Sequence, residues 1–132
     1  MTMKTRYIVA SALLTGIGLG ALAVQSLHAQ AKPPAYAIAE VTVSNEDGYQ
    51  KELKAYGPKV GKVLADGGGK YLARGGKIVT IEGAPASRLV VLAFENLDKA
   101  VATLSSAAYR EARKPGDQYA KFRIIAVEGM SQ

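Results

Sequence analysis

From Ala35 to Val43 the chain alternates, with Ala37, Ala39, Val41 and Val43 on one side and Tyr36, Ile38, Glu40 and Thr42 on the other. That two-residue period predicts a first strand with one covered face. Tyr49, Leu53, Tyr56, Val60 and Leu64 then recur at helical spacing, and Ser44, with Asp47 three residues on, is placed to cap this helix. Gly57-Pro58 should break or kink it in the middle, and Gly67-Gly68-Gly69 ends it. Tyr71 to Gly83 places two short apolar runs around Arg74-Gly75-Gly76-Lys77, the pattern of a strand, a tight turn and a returning strand. Arg88 to Glu95 forms a further strand, and Asn96 or Asp98 opens a second helix carrying Leu97, Val101 and Leu104 on one face. Ser105-Ser106 marks a bend. Ser106 caps a last turn or two through Tyr109 and Ala112, and Lys114-Pro115-Gly116 stops the helix before a final strand from about Tyr119 to Val127.

Counted separately, these elements run β-α-β-β-β-α-β. With one hairpin arm taken as an edge, the order becomes the ferredoxin-like β-α-β-β-α-β arrangement, an α+β sandwich with an antiparallel sheet and two helices on one face. Leu89-Val90-Val91-Leu92-Ala93-Phe94 is apolar without alternation, as expected of a strand covered on both faces. Two helices cover only one face. The economical cover for the other is the same sheet of a second copy, giving a two-fold homodimer whose facing sheets enclose a barrel-like interior. The alternative is a monomer whose central strand is simply rich in strand-forming residues.

The N-terminus carries Lys4 and Arg6, an apolar run from Tyr7 to Val24, and Ala29-Gln30-Ala31, the small-x-small pattern of a signal peptidase site. The expected division is a signal peptide over residues 1–31, cleaved near Ala31, and a single ferredoxin-like domain over residues 32–132. The exported product would be periplasmic or extracellular. The run approaches the length of a spanning helix, so a retained membrane anchor is the alternative. Gly16, Gly18 and Gly20 imitate a dinucleotide fingerprint, but no strand precedes them. Without cysteine the chain has neither a lipid-attachment site nor disulfides, so its own core must hold it together. Removing Lys4 and Arg6 from 17 basic residues leaves 15 against 11 acidic, a net charge near +4. That excess is spread along the sequence, with Arg110, Arg113 and Lys114 near a helix C-terminus where cations offset the dipole. No nucleic-acid recognition motif accompanies it, so no nucleic-acid partner is expected.

The only histidine, His28, lies in the segment expected to be removed. The domain therefore cannot build a Ser-His-Asp or Cys-His site, a zinc site of nitrogen and sulfur, or an axial-histidine haem site. No metal cluster or cofactor motif is visible: Gly67-Gly68-Gly69-Lys70 closes a helix, whereas a phosphate loop opens one. The residues left for a ligand site are Arg74, whose planar fork suits a carboxylate, and Glu82, a candidate base if burial raised its pKa. Tyr36, Glu40 and Thr80 are expected to share the helix-free face of the sheet. Each has a structural alternative, such as an Arg74–Glu82 pair across the hairpin or Tyr36 packed in a dimer interface.

Arg74-Gly75-Gly76 with Glu82-Gly83 resembles the signature of the bacterial family called domain of unknown function 1330. The resemblance runs from Tyr36 to Gly129 and includes Gly57-Pro58, Arg88 entering Leu89 to Phe94, Ser106 followed by Tyr109, and Val127-Glu128-Gly129. It implies a ferredoxin-like dimeric α/β barrel with no established reaction. The chain departs from the family in the second helix, where an aromatic pair is common and Thr103-Leu104 stands here. The functional expectation is an exported dimer that binds a small, partly apolar anion in the sheet interior. A cofactor-independent isomerase or oxygenase using Glu or Tyr, and a structural or interaction dimer without ligand, remain as alternatives.

Overall fold

In the computed structural model, which describes residues 31–131, the alternating segment is β1 (Ala35–Val43). Its even rise of small side chains, Ala35, Ala37 and Ala39 with Val41, is buried, and this flat apolar stripe lets helices lie close on the sheet. Helix α1 (Glu46–Asp66) follows, then β2 (Lys70–Arg74) and β3 (Arg88–Phe94). The C-terminal half contains α2 (Leu97–Leu104), α3 (Ala107–Arg113), a 3₁₀ turn (Lys114–Gln118) and β4 (Ala120–Glu128). The strands form one antiparallel sheet in the order β2-β3-β1-β4. This is the α+β, ferredoxin-like split arrangement, with the second helical segment bent at Ser105–Ser106 into α2 and α3.

Register defines the two faces. Ala37 lies opposite Leu92 and Ala126, so these residues and their alternates Ala35, Phe94, Val90 and Ile124 face the helices. The main core joins this stripe to Leu64, Ala100 and Tyr109, and a second cluster unites Val41, Tyr49, Tyr56 and Ala120. The open face carries Tyr36, Ile38 and Glu40 of β1 beside Ala93, Val91 and Leu89 of β3 and Val127, Ile125 and Arg123 of β4.

Three local expectations are corrected. The returning hairpin strand does not form: β2 ends at Arg74, Gly75 turns with a φ of +69°, and no strand intervenes before Arg88. Val79 and Ile81 in that link are 67% and 91% exposed. Strand propensity without a surface to bury against does not hold an extra edge strand. Asn45, not Ser44, caps α1 by accepting from Gly48 N at 2.9 Å, while Ser44 Oγ donates to Tyr119 O. Helix α1 also continues through Pro58, because its buried residues on both sides, Tyr49, Tyr56, Gly57 and Leu64, hold it on the sheet. Within one chain the helices cover one face of β3: Leu92 and Phe94 are buried, whereas Leu89, Val91 and Ala93 on the open face are half-buried. No helix among the described residues is long and apolar enough to cross a membrane; residues 7–24 and 1–30 as a whole, including most of the cleavage motif, lie outside the described residues.

Candidate functional site

The space between the sheet and α1 is not completely filled. A cavity of about 80 Å³ lies there, walled by Val41, Leu53, Val60, Leu64, Leu92 and Phe122. Its polar lining consists of four tyrosines, Tyr49, Tyr56, Tyr71 and Tyr109, and two arginines, Arg74 and Arg113. No carboxylate lines it.

Each polar group is placed by its element. Tyr49 and Tyr56 stand seven residues apart on the buried face of α1, ring edge to ring face at 6.4 Å and 71°. Tyr109 and Arg113 stand four apart on α3, whose first turn is tied by Tyr109 N donating to Ser106 Oγ at 3.1 Å. A bulge in β2 between Tyr71 and Ala73 shifts the register. Tyr71 then opposes Leu92 and Arg74 opposes Val90, so both lie on the helix face, and the Arg74 guanidinium stacks 5.0 Å from the Tyr71 ring. Opposite Arg74, α1 presents Gly57; a Cβ there would come within 3.7 Å of the Arg74 guanidinium.

The two arginines differ in what holds them. Arg113 Cζ lies 4.4 Å from the Phe122 ring centre and 5.6 Å from that of Tyr109. Its Nε is 3.2 Å from Asp117 Oδ1, an ion pair too poorly aligned to be a hydrogen bond. Arg74, exposed at the mouth, enters no ion pair among the described residues. A second depression of about 260 Å³ shares Arg74, Tyr49 and Leu53 with the cavity and adds Gly75, Arg88 and Leu89. Arg88 there is already bound to Glu46 and lies 5.0 Å from the Tyr49 ring. The mouth is therefore positive, and Arg74 is its uncommitted charge.

Two of the phenols, Tyr56 and Tyr109, are held neutral. Burial pushes the Tyr56 hydroxyl well above the ordinary tyrosine range, the Tyr49 and Tyr109 phenols add to this, and Arg113 opposes it. Burial raises Tyr109 as well, against the pull of Arg113. Such groups donate hydrogen bonds but make poor bases. The Tyr49 hydroxyl lies near enough to favour the protonated form of the buried Tyr56 Oη, but no partner among the described residues meets hydrogen-bond geometry.

The residues expected to form a site do not converge. Tyr36 and Glu40 lie on the open face of β1, as expected, with Glu40 paired to Arg123 at 3.2 Å. Thr80 and Glu82 lie in the exposed link between β2 and β3, not on the sheet. The Arg74–Glu82 pair is not formed, and Arg74 alone of the five lines the cavity. Among the described residues no three His, Cys, Asp or Glu side chains group as metal ligands. Sequence reading missed Tyr56 because it treated tyrosines at helical spacing as packing, although a polar tip on a buried helix face was the available signal; Tyr71, on an exposed strand, gave none.

Comparison with known proteins fits this architecture. A family model described as "Domain of unknown function (DUF1330)" matches residues 34–130. The chain belongs to the DUF1330 family. No curated protein matches its sequence. Among solved structures, this DUF1330 chain is similar to a protein of unknown function from Rhodopseudomonas palustris, with a TM-score of 0.58 and 20% identity over 83% of this chain and 93% of that one. A dimeric ferredoxin-like protein of unknown function from Bacteroides fragilis matches at a TM-score of 0.51 and 10% identity, over 73% and 96%. SnoaB, a cofactor-independent oxygenase from Streptomyces nogalater, matches at 0.51 and 9% identity, over 76% and 96%. At these identities the likeness is one of fold.

Proposed function

We propose that this DUF1330 protein is exported after cleavage near Ala31, forms a homodimer, and binds a small, partly apolar anion in the cavity between its sheet and helices. One observation carries the ligand: Arg74, without a carboxylate partner, stands at the mouth of an apolar cavity whose lining holds no acid. A charged planar donor beside apolar walls is the usual form of a site for a small carboxylate. The site thus differs from the sheet interior expected from sequence. The lining offers binding rather than proton abstraction, since it contains neither carboxylate nor imidazole and Tyr56 and Tyr109 stay protonated. Glu82, the candidate base, is not among the lining residues.

Thermal melting with increasing hexanoate or benzoate tests the reading. The melting temperature should rise with ligand concentration, as binding to the folded state requires, and Arg74→Ala should remove the rise. An equal rise in the variant would sink the assignment of Arg74. Native mass spectrometry of the protein recovered after export tests the rest: a dimer of chains beginning near Lys32 is expected, and a monomer or a full-length chain would contradict it.

A further inference from the structure

Resting on the reading of this cavity as an anion site, the geometry points to a ligand with two unlike oxygen ends. A carboxylate is held by Arg74 at the mouth, and an uncharged acceptor oxygen, a carbonyl or hydroxyl, accepts from Tyr56 Oη inside. The ligand class is a short oxo- or hydroxy-carboxylate.

The inner end is set by Tyr56, which is 4% exposed and lines the cavity with an unpartnered hydroxyl. A buried donor left without an acceptor is costly, and a ligand that supplies one removes that cost on binding. The backbone favours this arrangement: Gly116 passes so close that a Cβ there would lie 2.7 Å from Tyr56 Oη. Only a residue without a side chain leaves the hydroxyl in place. The acceptor is uncharged because the charge of Arg113, which lines the same cavity, is balanced by Asp117 Oδ1 at 3.2 Å, even though its buried Nε, like Tyr56 Oη, makes no hydrogen bond. A second carboxylate here would be buried without a charge partner. The ligand is short because the cavity measures about 80 Å³.

The test uses matched probes on the exported protein: pentanoate against 2-oxopentanoate and 4-oxopentanoate, and hexanoate against 5-oxohexanoate, by titration calorimetry. A site built around a hydrogen-bond donor discriminates strongly against analogues lacking the acceptor. At least one oxo acid should therefore bind at least roughly tenfold more tightly than its parent. Tyr56→Phe should abolish the difference in affinity between that oxo acid and its parent. Arg74→Ala should weaken both alike. Without ligand, Tyr56→Phe should melt at or above the wild-type temperature, because it deletes an unpartnered hydroxyl. If parents bind but no oxo acid gains, or the gain survives Tyr56→Phe, the two-ended ligand is wrong while the anion site stands. If no carboxylate binds, both fail. A variant melting well below wild type would show that the hydroxyl is satisfied within the protein, and overturns the inference as well.

Discussion

At the residue scale, the buried tyrosines connect packing to pH. Burial keeps Tyr56 and Tyr109 protonated above the ordinary tyrosine value of 10.0. Above pH 10 the unfolded chain therefore loses protons that the folded chain retains, so their contribution is full below pH 10 and falls as pH rises beyond it. Melting temperatures measured from pH 9 to 12 should decline, and Tyr56→Phe should decline less steeply; parallel curves would mean the phenol ionises alike in both states. Gly116 carries the opposite kind of constraint, one of space. Gly116→Ala would place a methyl group 2.7 Å from Tyr56 Oη and 2.8 Å from its Cζ. The ring is fixed in the core, so the expected loss is about 1–3 kcal/mol of unfolding free energy, measured by urea denaturation. At Gly75 space is open but φ is +69°. There alanine should cost about 1 kcal/mol and asparagine less, because asparagine tolerates the left-handed region.

At the element scale, caps decide where helices begin. Asn45 Oδ1 accepts from Gly48 N, and Asn96 Oδ1 accepts from Lys99 N at 3.0 Å. Asn45→Ala should destabilise the protein by about 1 kcal/mol in chemical denaturation. Ser44→Ala should act instead on the junction with β4, since Ser44 N and Oγ both bond Tyr119 O. Sequence alone assigned the cap to Ser44, because either side chain can cap and only tertiary contact shows that Ser44 is engaged elsewhere. The same contrast runs through the fold. Strand β1, the end of α1 at the glycine triplet, Asn96, and the Ser106 cap of α3 were legible, because periodicity and capping are local chemistry. The returning hairpin strand was misread because whether Val79 and Ile81 find a surface is not local. The site was less legible than the fold. Alternation assigns Arg74 to the face opposite Tyr71, and the bulge that reverses this leaves no mark in Tyr71-Leu72-Ala73-Arg74.

At the scale of the whole molecule, the two faces of the sheet have different fates. The helix face holds the core and the cavity, while the open face leaves Tyr36, Ile125 and Val127 between 36% and 55% exposed at one end. Its other end is polar, with the Glu40–Arg123 pair beside Lys121 and Thr42. A contiguous exposed apolar area of this kind marks an interaction surface, and a two-fold axis through it would set the apolar end of one copy on that of another. Val127 is the residue to change. It lies beside Tyr36 at the apolar end and touches nothing in the core on the helix side. In the proposed homodimer, Val127→Lys places a charge in the centre of the interface without a partner, and sedimentation equilibrium should show a dimer in wild type and a monomer in the variant. Circular dichroism should be unchanged, because β4 keeps its pairing with β1. The carboxylate response at Arg74 should also persist, since the cavity opens on the opposite face. A wild-type monomer at tens of micromolar, on the order of a weak-interface limit, would leave the open face without its second copy. Loss of dimer and ligand response together would mean that the partner subunit shapes the cavity.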